Sequence, residues 1–291
     1  MIMKIIPIAF DSLGTRGMAT YVETKDLKLF IDPGVSLAPI RYGLEPHPKE
    51  LKRLGEHWKK VVKLAKKAKV LIITHYHYDH HNPWEHLEIY KKKIVLVKHP
   101  TEKINLSQKK RSAFFLEQIK DLPKQLEYAD GKEFKFGKTK VKLSEPVFHG
   151  TNPKLGYVIE VLIDDGYRFI HTSDVEGPSQ KGQTNFVLKN KPNLLFLDGP
   201  LSYMMYRFGV KAMKNSVENM IKIVKICPLD ALIVDHHFLR DLKWKERISE
   251  VFKVTDKKKI KLETAAEFAG KDIDMLEAHR KELYGKHSRR R

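Results

Sequence analysis

The stretch ITHYHYDHH, residues 73–81, places four histidines and one aspartate within nine positions. His75 and His77 alternate along the chain, so their side chains can converge on one metal ion, whereas Asp79 and His80, farther round the turn, can face a second. Neutral imidazole and carboxylate are ligands that zinc, manganese and iron share. A purely structural cluster would crowd several protonatable groups together without an evident partner, so the residue types favour a metal site.

The backbone beneath this cluster is predicted to be the tip of a buried strand. Residues 70–73 form a continuous apolar run, as expected for a strand covered on both faces. Three other strand-like runs end in similar residues, because His149 follows KVKLSEPVF, Asp174 follows YRFIHTS, and His236 and His237 follow ALIVD. A lone histidine after a strand is usually a structural hydrogen-bonding group. Since functional residues gather at strand ends in α/β folds, four such ends favour one composite site.

Apolar strand-like runs and helical patterns alternate along the chain, which predicts a layered α/β domain with sheet buried under helices. The runs at 156–163 and 167–172, joined by Asp164-Asp165-Gly166, predict a hairpin. We expect one domain over residues 1–291, with a mostly helical insertion around 101–128 and a C-terminal helix around 263–284, broken near Gly270. The strand-like runs are 4–10, 18–24, 27–32, 69–74, 93–98, 140–148, 156–163, 167–172, 193–198 and 231–235, and the earlier helical patterns are 48–69 and 214–226.

The composition is strongly basic, with 55 Lys and Arg against 36 Asp and Glu and a formal charge of +19. This surplus favours RNA, DNA or an anionic small molecule as partner, although a solvated basic surface without a specific partner explains it equally well. Many charges with a single cysteine are typical of heat-adapted, thermophilic proteins. Cys227 alone excludes disulfides within the chain and indicates a reducing, cytoplasmic setting. No run approaches the roughly 20 apolar residues of a membrane helix, so we expect no membrane span.

The pattern H-x-H-x-D-H after a strand, followed in order by single His, Asp and His motifs, resembles the metallo-β-lactamase superfamily. Asp32-Pro33-Gly34, after an earlier strand, matches as well, so the resemblance covers residues 1 to about 240. Within the superfamily the chain most resembles an archaeal group of predicted metal-dependent hydrolases. The resemblance implies an α/β (α+β) fold, the four-layer αββα sandwich with a binuclear site at one edge.

Carried over to this sequence, the resemblance implies two divalent metal ions, zinc with manganese or iron as alternatives. Arg240, four residues after His236, matches the RNA-processing members and favours His236 as the last ligand, with His237 as the alternative. Asp174 stands where the antibiotic-degrading enzymes use cysteine, which argues against antibiotic hydrolysis. One departure is His81-Asn82-Pro83, where many members have a glycine soon after the motif. The first ion would be held by His75, His77 and His149, the second by Asp79, His80 and His236, and both by Asp174.

Two further aspartates are candidates for support of the metal ligands. Asp11 lies in DSLGTRG, a loop that approaches the metals in this fold, and an ordinary glycine-rich turn is as good an explanation. Asp198 follows another apolar strand, and we expect it to contact the site from behind the ligands. His171 is expected to be a structural strand histidine. The aromatic run YMMYRF, residues 203–208, is expected to pack in the core rather than to stack against a substrate.

The implied function is metal-dependent hydrolysis. Two ions roughly 3.5–4 Å apart can share one water, lower its pKa and present a bridging hydroxide at neutral pH. Asp79 is the expected catalytic residue, which would orient this hydroxide and later protonate a leaving group. We expect a phosphodiesterase that acts on RNA or DNA, although the gap between Asp174 and His236 is too short for the large inserted domain of the RNA-cleaving β-CASP members.

Two alternatives to that function are open. The first is a hydrolase of small molecules such as a lactone, a thioester or a phosphorylated metabolite, with segment 101–128 shaping the pocket. The second is a non-catalytic protein that keeps metals for structure. The complete ligand set favours an enzyme over this second alternative. Nothing in the sequence indicates the oligomeric state.

Overall fold

Two mixed β-sheets form the centre of the protein in a computed structural model that describes residues 3–288. The first sheet has the order β1-β2-β3-β4-β5-β6, in which β1 to β3 run antiparallel and β3 to β6 run parallel. Its strands are β1 (Lys4–Ala9), β2 (Ala19–Glu23), β3 (Lys28–Ile31), β4 (Val70–Ile73), β5 (Ile94–Val97) and β6 (Gln125–Tyr128).

The second sheet has the order β15-β14-β13-β12-β11-β8-β7, with β12 to β15 parallel and the remaining pairs antiparallel. The predicted hairpin is confirmed, because β11 and β12 pair from Val161↔His171 to Asp164↔Arg168. A separate two-stranded ribbon joins β9 and β10. The strands are β7 (Glu133–Phe136), β8 (Thr139–Leu143), β9 (Val147–Phe148), β10 (Tyr157–Val158), β11 (Val161–Asp164), β12 (Arg168–His171), β13 (Leu194–Asp198), β14 (Ala231–Asp235) and β15 (Lys261–Glu263).

Nine helices of the described residues lie outside and beside the sheets. They are α1 (Pro48–Lys67), α2 (Leu106–Ile119), α3 (Lys181–Asn190), α4 (Met205–Phe208), α5 (Val210–Ile226), α6 (Trp244–Arg247), α7 (Ser249–Lys258), α8 (Ala265–Phe268) and α9 (Arg280–Ser288). The start of α1 shows why the sequence folds there: the Glu50 carboxylate accepts a hydrogen bond from the His47 backbone N–H, and Pro48 occupies the first turn, where a missing N–H costs nothing. None of these helices is long and apolar enough to cross a bilayer.

Three apolar layers separate these elements. One layer lies between the sheets and contains Ile31 and Ile72 of the first sheet with Phe196 and Ile233 of the second. A second joins the outer face of the first sheet to α1 and α2, and the third joins the outer face of the second sheet to α3, α5 and α7. Alternate residues of each strand point to opposite faces, which is why both faces of these strands are buried. The four-layer αββα sandwich implied by the sequence resemblance is therefore confirmed.

Two expected segments differ in detail from the sequence interpretation. Segment 101–128 contains the helix α2, but its last residues form β6, which extends the first sheet through parallel pairing with β5. The helix expected around 263–284 has its expected break near Gly270, but less of the segment is helical than expected and the last helix runs to Ser288. It is divided into α8 and α9, because Gly270 adopts a left-handed φ of 65° after α8 and residues 271–279 have no continuous helix.

Candidate metal centre

The carboxyl ends of the parallel strands meet at one edge of the sandwich. The parallel pairing of β13 with β14 sets Asp198 beside Asp235, so the residues after these strands, and Asp174 after β12, come out at the same edge. The loop after β4 faces them from the first sheet, where Ile159 N–H donates to the Thr74 carbonyl at 3.2 Å. Topology therefore brings the four sequence motifs together, as expected from their positions after strands.

Asp32 anchors the histidine loop at its start. Its carboxylate accepts hydrogen bonds from the backbone N–H of Thr74 at 2.8 Å and from the Thr74 hydroxyl at 2.6 Å. Gly34, two residues later, lies directly under the backbone of His80 and His81, and a Cβ built there would lie 2.3 Å from the His81 nitrogen. Only glycine fits such an approach. The Asp-Pro-Gly motif therefore shapes the histidine loop despite the departure at residues 81–83.

Four of the candidate ligands form a first donor group. The group comprises His75, His77, His149 and Asp174, and one donor atom from each lies within 4.8 Å of all the others. The His149 Nε2 atom is 3.2 Å from Nδ1 of His77 and 3.5 Å from Oδ2 of Asp174, and His75 Nε2 is 3.4 Å from the same Oδ2. Three imidazole nitrogens and one carboxylate oxygen form a donor set that suits a four-coordinate divalent ion.

A second donor group lies on the other side of Asp174. It comprises Asp79, His80, Asp174 and His236, again with donor atoms within 4.8 Å of one another. Asp174 Oδ1 lies 2.9 Å from His80 Nε2, and Asp174 Oδ2 lies 3.2 Å from His236 Nε2, which is itself 3.7 Å from Asp79 Oδ2. Asp174 is the residue that belongs to both groups.

Unpaired buried atoms show that these donors fit metal ions. Nε2 of His75, Nε2 of His80 and Oδ1 of Asp174 are buried and make no well-aligned hydrogen bond, although the last two atoms lie 2.9 Å apart. Leaving such groups unpaired in the interior costs free energy, and coordination to a cation would satisfy them. Burial lowers the pKa of His75 to about 4, which leaves its imidazole neutral at pH 7, the form that binds metals.

The second group is electrostatically different. Burial alone would lower the pKa of His236, but the carboxylates of Asp174 and Asp11 raise it to about 10. The pKa of His80 is likewise raised, against the effect of burial, by Asp174, Asp32 and Asp79. A divalent cation entering this group would replace the protons on these two imidazoles, so its binding should strengthen as the pH rises.

The candidate ligand histidines are oriented through their other ring nitrogen. His80 Nδ1 lies 2.7 Å from Asp32 Oδ2, and His236 Nδ1 lies 2.8 Å from Asp11 Oδ2. Carboxylates in this position fix the ring and raise its basicity as a ligand. His75 Nδ1 faces the hydroxyls of Thr74 and Ser173 at 3.2 and 3.3 Å, and His149 Nδ1 lies 3.7 Å from Glu176 Oε1.

Asp198 and His237 form a pair beside the two donor groups. Asp198 accepts a hydrogen bond from the His237 backbone N–H at 3.1 Å, and its Oδ2 lies 3.0 Å from His237 Nδ1. The opposite ring nitrogen of His237 is 3.8 Å from Glu176. Of the two alternative last ligands, His236 lies within the Asp79, His80 and Asp174 group. His237 lies within two smaller groups of possible donors, one with His149 and Glu176 and one with Asp174 and Asp198. Asp198 also accepts a hydrogen bond from the Glu176 backbone N–H at 2.7 Å, and its support of the metal ligands stays a prediction.

Several site residues have a strained backbone that no residue type signals. Asp32, Ser173, Glu176 and His236 all have φ between 49° and 59°, a region that favours glycine. Such strain persists where the surrounding structure holds it, and it is typical of functional sites. Glu176 and Ser173 were not predicted as site residues, because neither belongs to a motif and neither residue type indicates the backbone strain. His171 Nε2 donates to the Met18 carbonyl at 2.9 Å, and His171 Nδ1 accepts from the Ser173 backbone N–H at 3.1 Å, so both ring nitrogens have structural partners.

A cavity of about 440 Å³ opens beside His149. One wall is the loop 151–155, and the other is formed by Glu176, Leu201 and the end of α4. The run 203–208, expected to pack in the core, does so at Phe208, but Arg207 lines the cavity and Tyr206 is 86% exposed. The donor groups therefore have a small adjoining space rather than a closed core around them.

Comparison with known proteins gives both close relatives and distant structures. The chain is 53% identical over 284 residues to a UPF0282 protein of Korarchaeum cryptofilum, covering 97% of this chain and 94% of that one. A possible metal-dependent hydrolase from Veillonella parvula is similar in structure, with a TM-score of 0.51, 12% identity, and 86% and 94% of the two chains covered.

A second protein of similar structure has a different activity. CmlA, a diiron β-hydroxylase from Streptomyces venezuelae, has a TM-score of 0.53 at 11% identity, covering 88% of this chain and 51% of that one. At such low identity these two likenesses show the fold alone. No protein-family model matches the chain.

Proposed function

The chain belongs to the archaeal UPF0282 family, and from this premise and the geometry of its donor groups we propose that it is a binuclear metal-dependent hydrolase. The observation that carries the proposal is the position of Asp174, whose two oxygens face two separate sets of buried donors. A single carboxylate shared in this way suits a pair of ions at bridging distance, the arrangement of two-metal hydrolytic sites.

Two divalent ions held there would supply Lewis acidity, which lowers the pKa of a water and stabilises the negative charge that develops on an attacked carbonyl or phosphoryl oxygen. Zinc is our first choice for the ions. The mixed imidazole and carboxylate donors also suit iron and manganese, and the diiron enzyme of similar fold gives iron a specific place among the alternatives.

Asp79 is the proposed catalytic residue. Its side chain is 16% exposed, more than those of His80, His236 or Asp174, so it is the carboxylate of the group with access to solvent. Burial would raise its pKa, but His80 and His236 hold it below the usual range, so the side chain is a carboxylate at neutral pH. Such a group can accept a hydrogen bond from the attacking water at Oδ1 or Oδ2 and keep that water oriented.

For the scissile bond we propose a phosphodiester first. Asp174 in place of cysteine gives an all-nitrogen and oxygen donor set, which suits ions that clamp the attacking and leaving oxygens of an in-line displacement at phosphorus. The formal charge of +19 supports an anionic substrate. Nucleic acid as that substrate is supported by the total charge alone.

A small-molecule substrate is the second candidate, and the cavity beside His149 favours it. Its volume of about 440 Å³ lies within the range of small-molecule sites, roughly 300–1,000 Å³. Segment 101–128, expected to shape the pocket of such an enzyme, contributes no lining residue to this cavity in the described part of the chain. It contacts the cavity loop, because Asn105 Nδ2 donates to the Lys154 carbonyl at 2.7 Å.

The proposal is tested by metal analysis followed by a substrate panel. The protein is loaded with zinc, manganese or iron, and assayed with bis-p-nitrophenyl phosphate, a lactone and a thioester. We expect metal-dependent hydrolysis of the diester, which needs only the two-ion centre. His77→Ala from the same purification is the control for contaminating enzymes. Activity equal to that control with every metal and every substrate would exclude the hydrolase.

Affinity for single-stranded RNA, measured over a salt series on the same preparation, separates the two substrate classes. If RNA is the substrate, affinity should fall steeply with salt, because bound lysines displace condensed cations. Weak RNA binding that does not change with salt, together with turnover of a small ester, would favour the small-molecule candidate.

A further inference from the structure

The cavity beside His149 has two cationic side chains on opposite walls. Lys154 belongs to the loop 151–155, and Arg207 belongs to α4. We propose that this cavity binds the terminal phosphate group of a small substrate, with Lys154 and Arg207 as the two contacts that specify it. The inference rests on the proposed hydrolase function, since it names the class of substrate that the donor groups would cleave.

Buried side chains hold the cavity loop, residues 151–155, in place. Gln108 of α2 is fully buried, donates through Nε2 to the Leu155 carbonyl, and accepts a hydrogen bond from the Tyr76 backbone N–H at 3.2 Å. Tyr76 lies between the ligands His75 and His77. The Gln108 side chain therefore connects the histidine loop directly to the wall that carries Lys154.

The other side of the loop is fixed by Gln183 of α3. Its Nε2 atom donates to the carbonyls of Phe148 and Gly150 at 2.9 Å and to that of Val175 at 2.8 Å. These three carbonyls flank His149 and Glu176, so the same amide sets the positions of a metal ligand and of the cavity floor. A site whose supporting side chains are locked in this way is preorganised for a ligand.

The charges within the cavity are unbalanced. Arg207 Nη2 lies 3.9 Å from Glu176 Oε1, and that same oxygen lies 3.7 Å from His149 Nδ1 and 3.8 Å from His237 Nε2. At 3.9 Å this is a loose ion pair, so Glu176 compensates Arg207 only in part. Lys154 forms no ion pair with any residue in the described part of the chain. Both cations are available to an anionic ligand.

A terminal phosphate matches this pair better than other anions do. A phosphate monoester carries a charge of about −1.5 to −2 at pH 7, so it attracts both cations more strongly than a carboxylate or an internal phosphodiester, each of which carries one negative charge. The planar guanidinium of Arg207 can contact two phosphate oxygens at once, and the Lys154 ammonium supplies a point charge. The apolar side chains of Leu155, Leu201 and Phe208 also line the cavity, and the carbon skeleton of the substrate would pack against them.

Equilibrium dialysis with inorganic phosphate tests the site, using the full chain once loaded with zinc and once after chelation. The binding step common to both forms is assigned to the cavity, since phosphate on the metal ions is lost after chelation. We expect Arg207→Gln and Lys154→Gln each to weaken that step at least tenfold. Lys214→Gln, on a side chain of α5 that is 76% exposed, should leave it unchanged.

Acetate and dimethyl phosphate serve as competitors that represent a carboxylate and an internal diester. Both should compete at least tenfold more weakly than phosphate. Phosphate binding that is the same in the two cavity variants as in the parent would overturn the site. Equal competition by either monoanion would overturn the choice of a terminal phosphate.

Turnover of a neutral ester separates this inference from the hydrolase proposal. With zinc, the parent and Lys214→Gln should hydrolyse p-nitrophenyl acetate equally, whereas KM for phosphorylated esters should rise at least tenfold in the two cavity variants relative to the parent. Loss of phosphate binding in the variants without any turnover in the parent would keep the anion site and reject the hydrolase. Turnover by the parent, with the same KM for phosphorylated esters in the parent and both cavity variants, would keep the hydrolase and reject the anion site.

Discussion

The carboxylate of Asp11 holds the Nδ1 atom of His236 at 2.8 Å, across a separation of 225 positions in the chain. The same carboxylate accepts a hydrogen bond from Arg240 Nε at 2.8 Å, one helical turn after His236. Beneath this pair, Asp235 Oδ1 accepts hydrogen bonds from the backbone N–H groups of Ser12 and His236. The first loop of the chain therefore determines which way the imidazole of the last candidate ligand faces.

Replacement of Asp11 should weaken the binding of one ion only. Loss of a carboxylate behind a ligand histidine usually costs about 10–100-fold in metal affinity, so we expect Asp11→Ala to lower the affinity of the second ion by that factor. The first ion should be unaffected, because Asp11 contacts none of its donors. Competition with a chelator of known affinity measures both steps. Asp121→Asn, at an exposed position of the described surface, is the control, and an equal loss at both steps would contradict the assignment.

Replacement of Asp174 should change the stoichiometry. The parent is expected to bind two ions per chain after full loading, and Asp174→Ala should bind one or fewer, since both donor groups lose an oxygen. Elemental analysis against protein concentration gives the ratio. One ion in the parent and one in the variant would remove the binuclear assignment.

The adjacent histidines 236 and 237 should behave differently. His236→Ala removes a donor from the second group, so we expect loss of the second ion and of most activity. His237→Ala should retain both ions, because its ring faces Asp198 and Glu176. Both variants are compared by elemental analysis and by turnover of the best substrate. The opposite pattern would show that His237 is the ligand.

Glu277 should link stability to acidic pH. Burial alone would raise its pKa, but the hydrogen bonds from Arg16 at 2.6 and 2.7 Å and the charges of Arg16, Arg240 and Arg41 lower it to about 2. Because the folded pKa is lower than the unfolded value, this stabilisation is complete above about pH 4.5 and is lost as the pH falls towards 2. At about 1.4 kcal/mol per pKa unit, the lowering from 4.5 to about 2 corresponds to roughly 3–4 kcal/mol, and Glu277→Gln should cost unfolding free energy of that order at pH 7.

Guanidinium unfolding of the parent and Glu277→Gln between pH 7 and pH 2 measures this contribution. The difference between the two proteins should shrink as the pH falls below about 4.5. Glu250→Gln, an exposed glutamate of α7, should differ little from the parent at any pH. A difference between parent and Glu277→Gln that stays constant over the whole range would show that the ion pairs of Glu277 are not its source.

The histidine loop and the hairpin of β11 and β12 could be predicted from the sequence because their signals are local. Four histidines within nine residues after an apolar run indicate ligands without any knowledge of the fold, and a short polar turn between two apolar runs indicates paired strands. The convergence of His149, Asp174 and His236 was accessible through the rule that strand ends meet at one edge of a sheet.

Other features depend on contacts between distant parts of the chain. Glu176 reaches His149 and Arg207 because its backbone adopts a φ of 49°, which nothing about a glutamate indicates. The short strands β6, β7 and β15 are edge strands and carry polar, partly exposed residues, so their apolar signal is weak. Residues 271–279 leave the helical conformation for tertiary contacts, since Asp274 N–H donates to the Ser12 carbonyl at 2.8 Å and Glu277 pairs with Arg16.

The shared position of Asp174 also determines the order in which the protein can mature. A growing chain that ends before Asp174 already carries His75, His77, Asp79, His80 and His149, yet neither donor group is complete. The second group further waits for His236, which follows one of the last strands of the second sheet. Since a metal is bound tightly only when its ligands are held together, the proposed pair of ions could be captured only after most of the chain has been synthesised. Metal loading would then report on completed folding, and a ribosome-bound or truncated chain should be unable to retain the proposed ions.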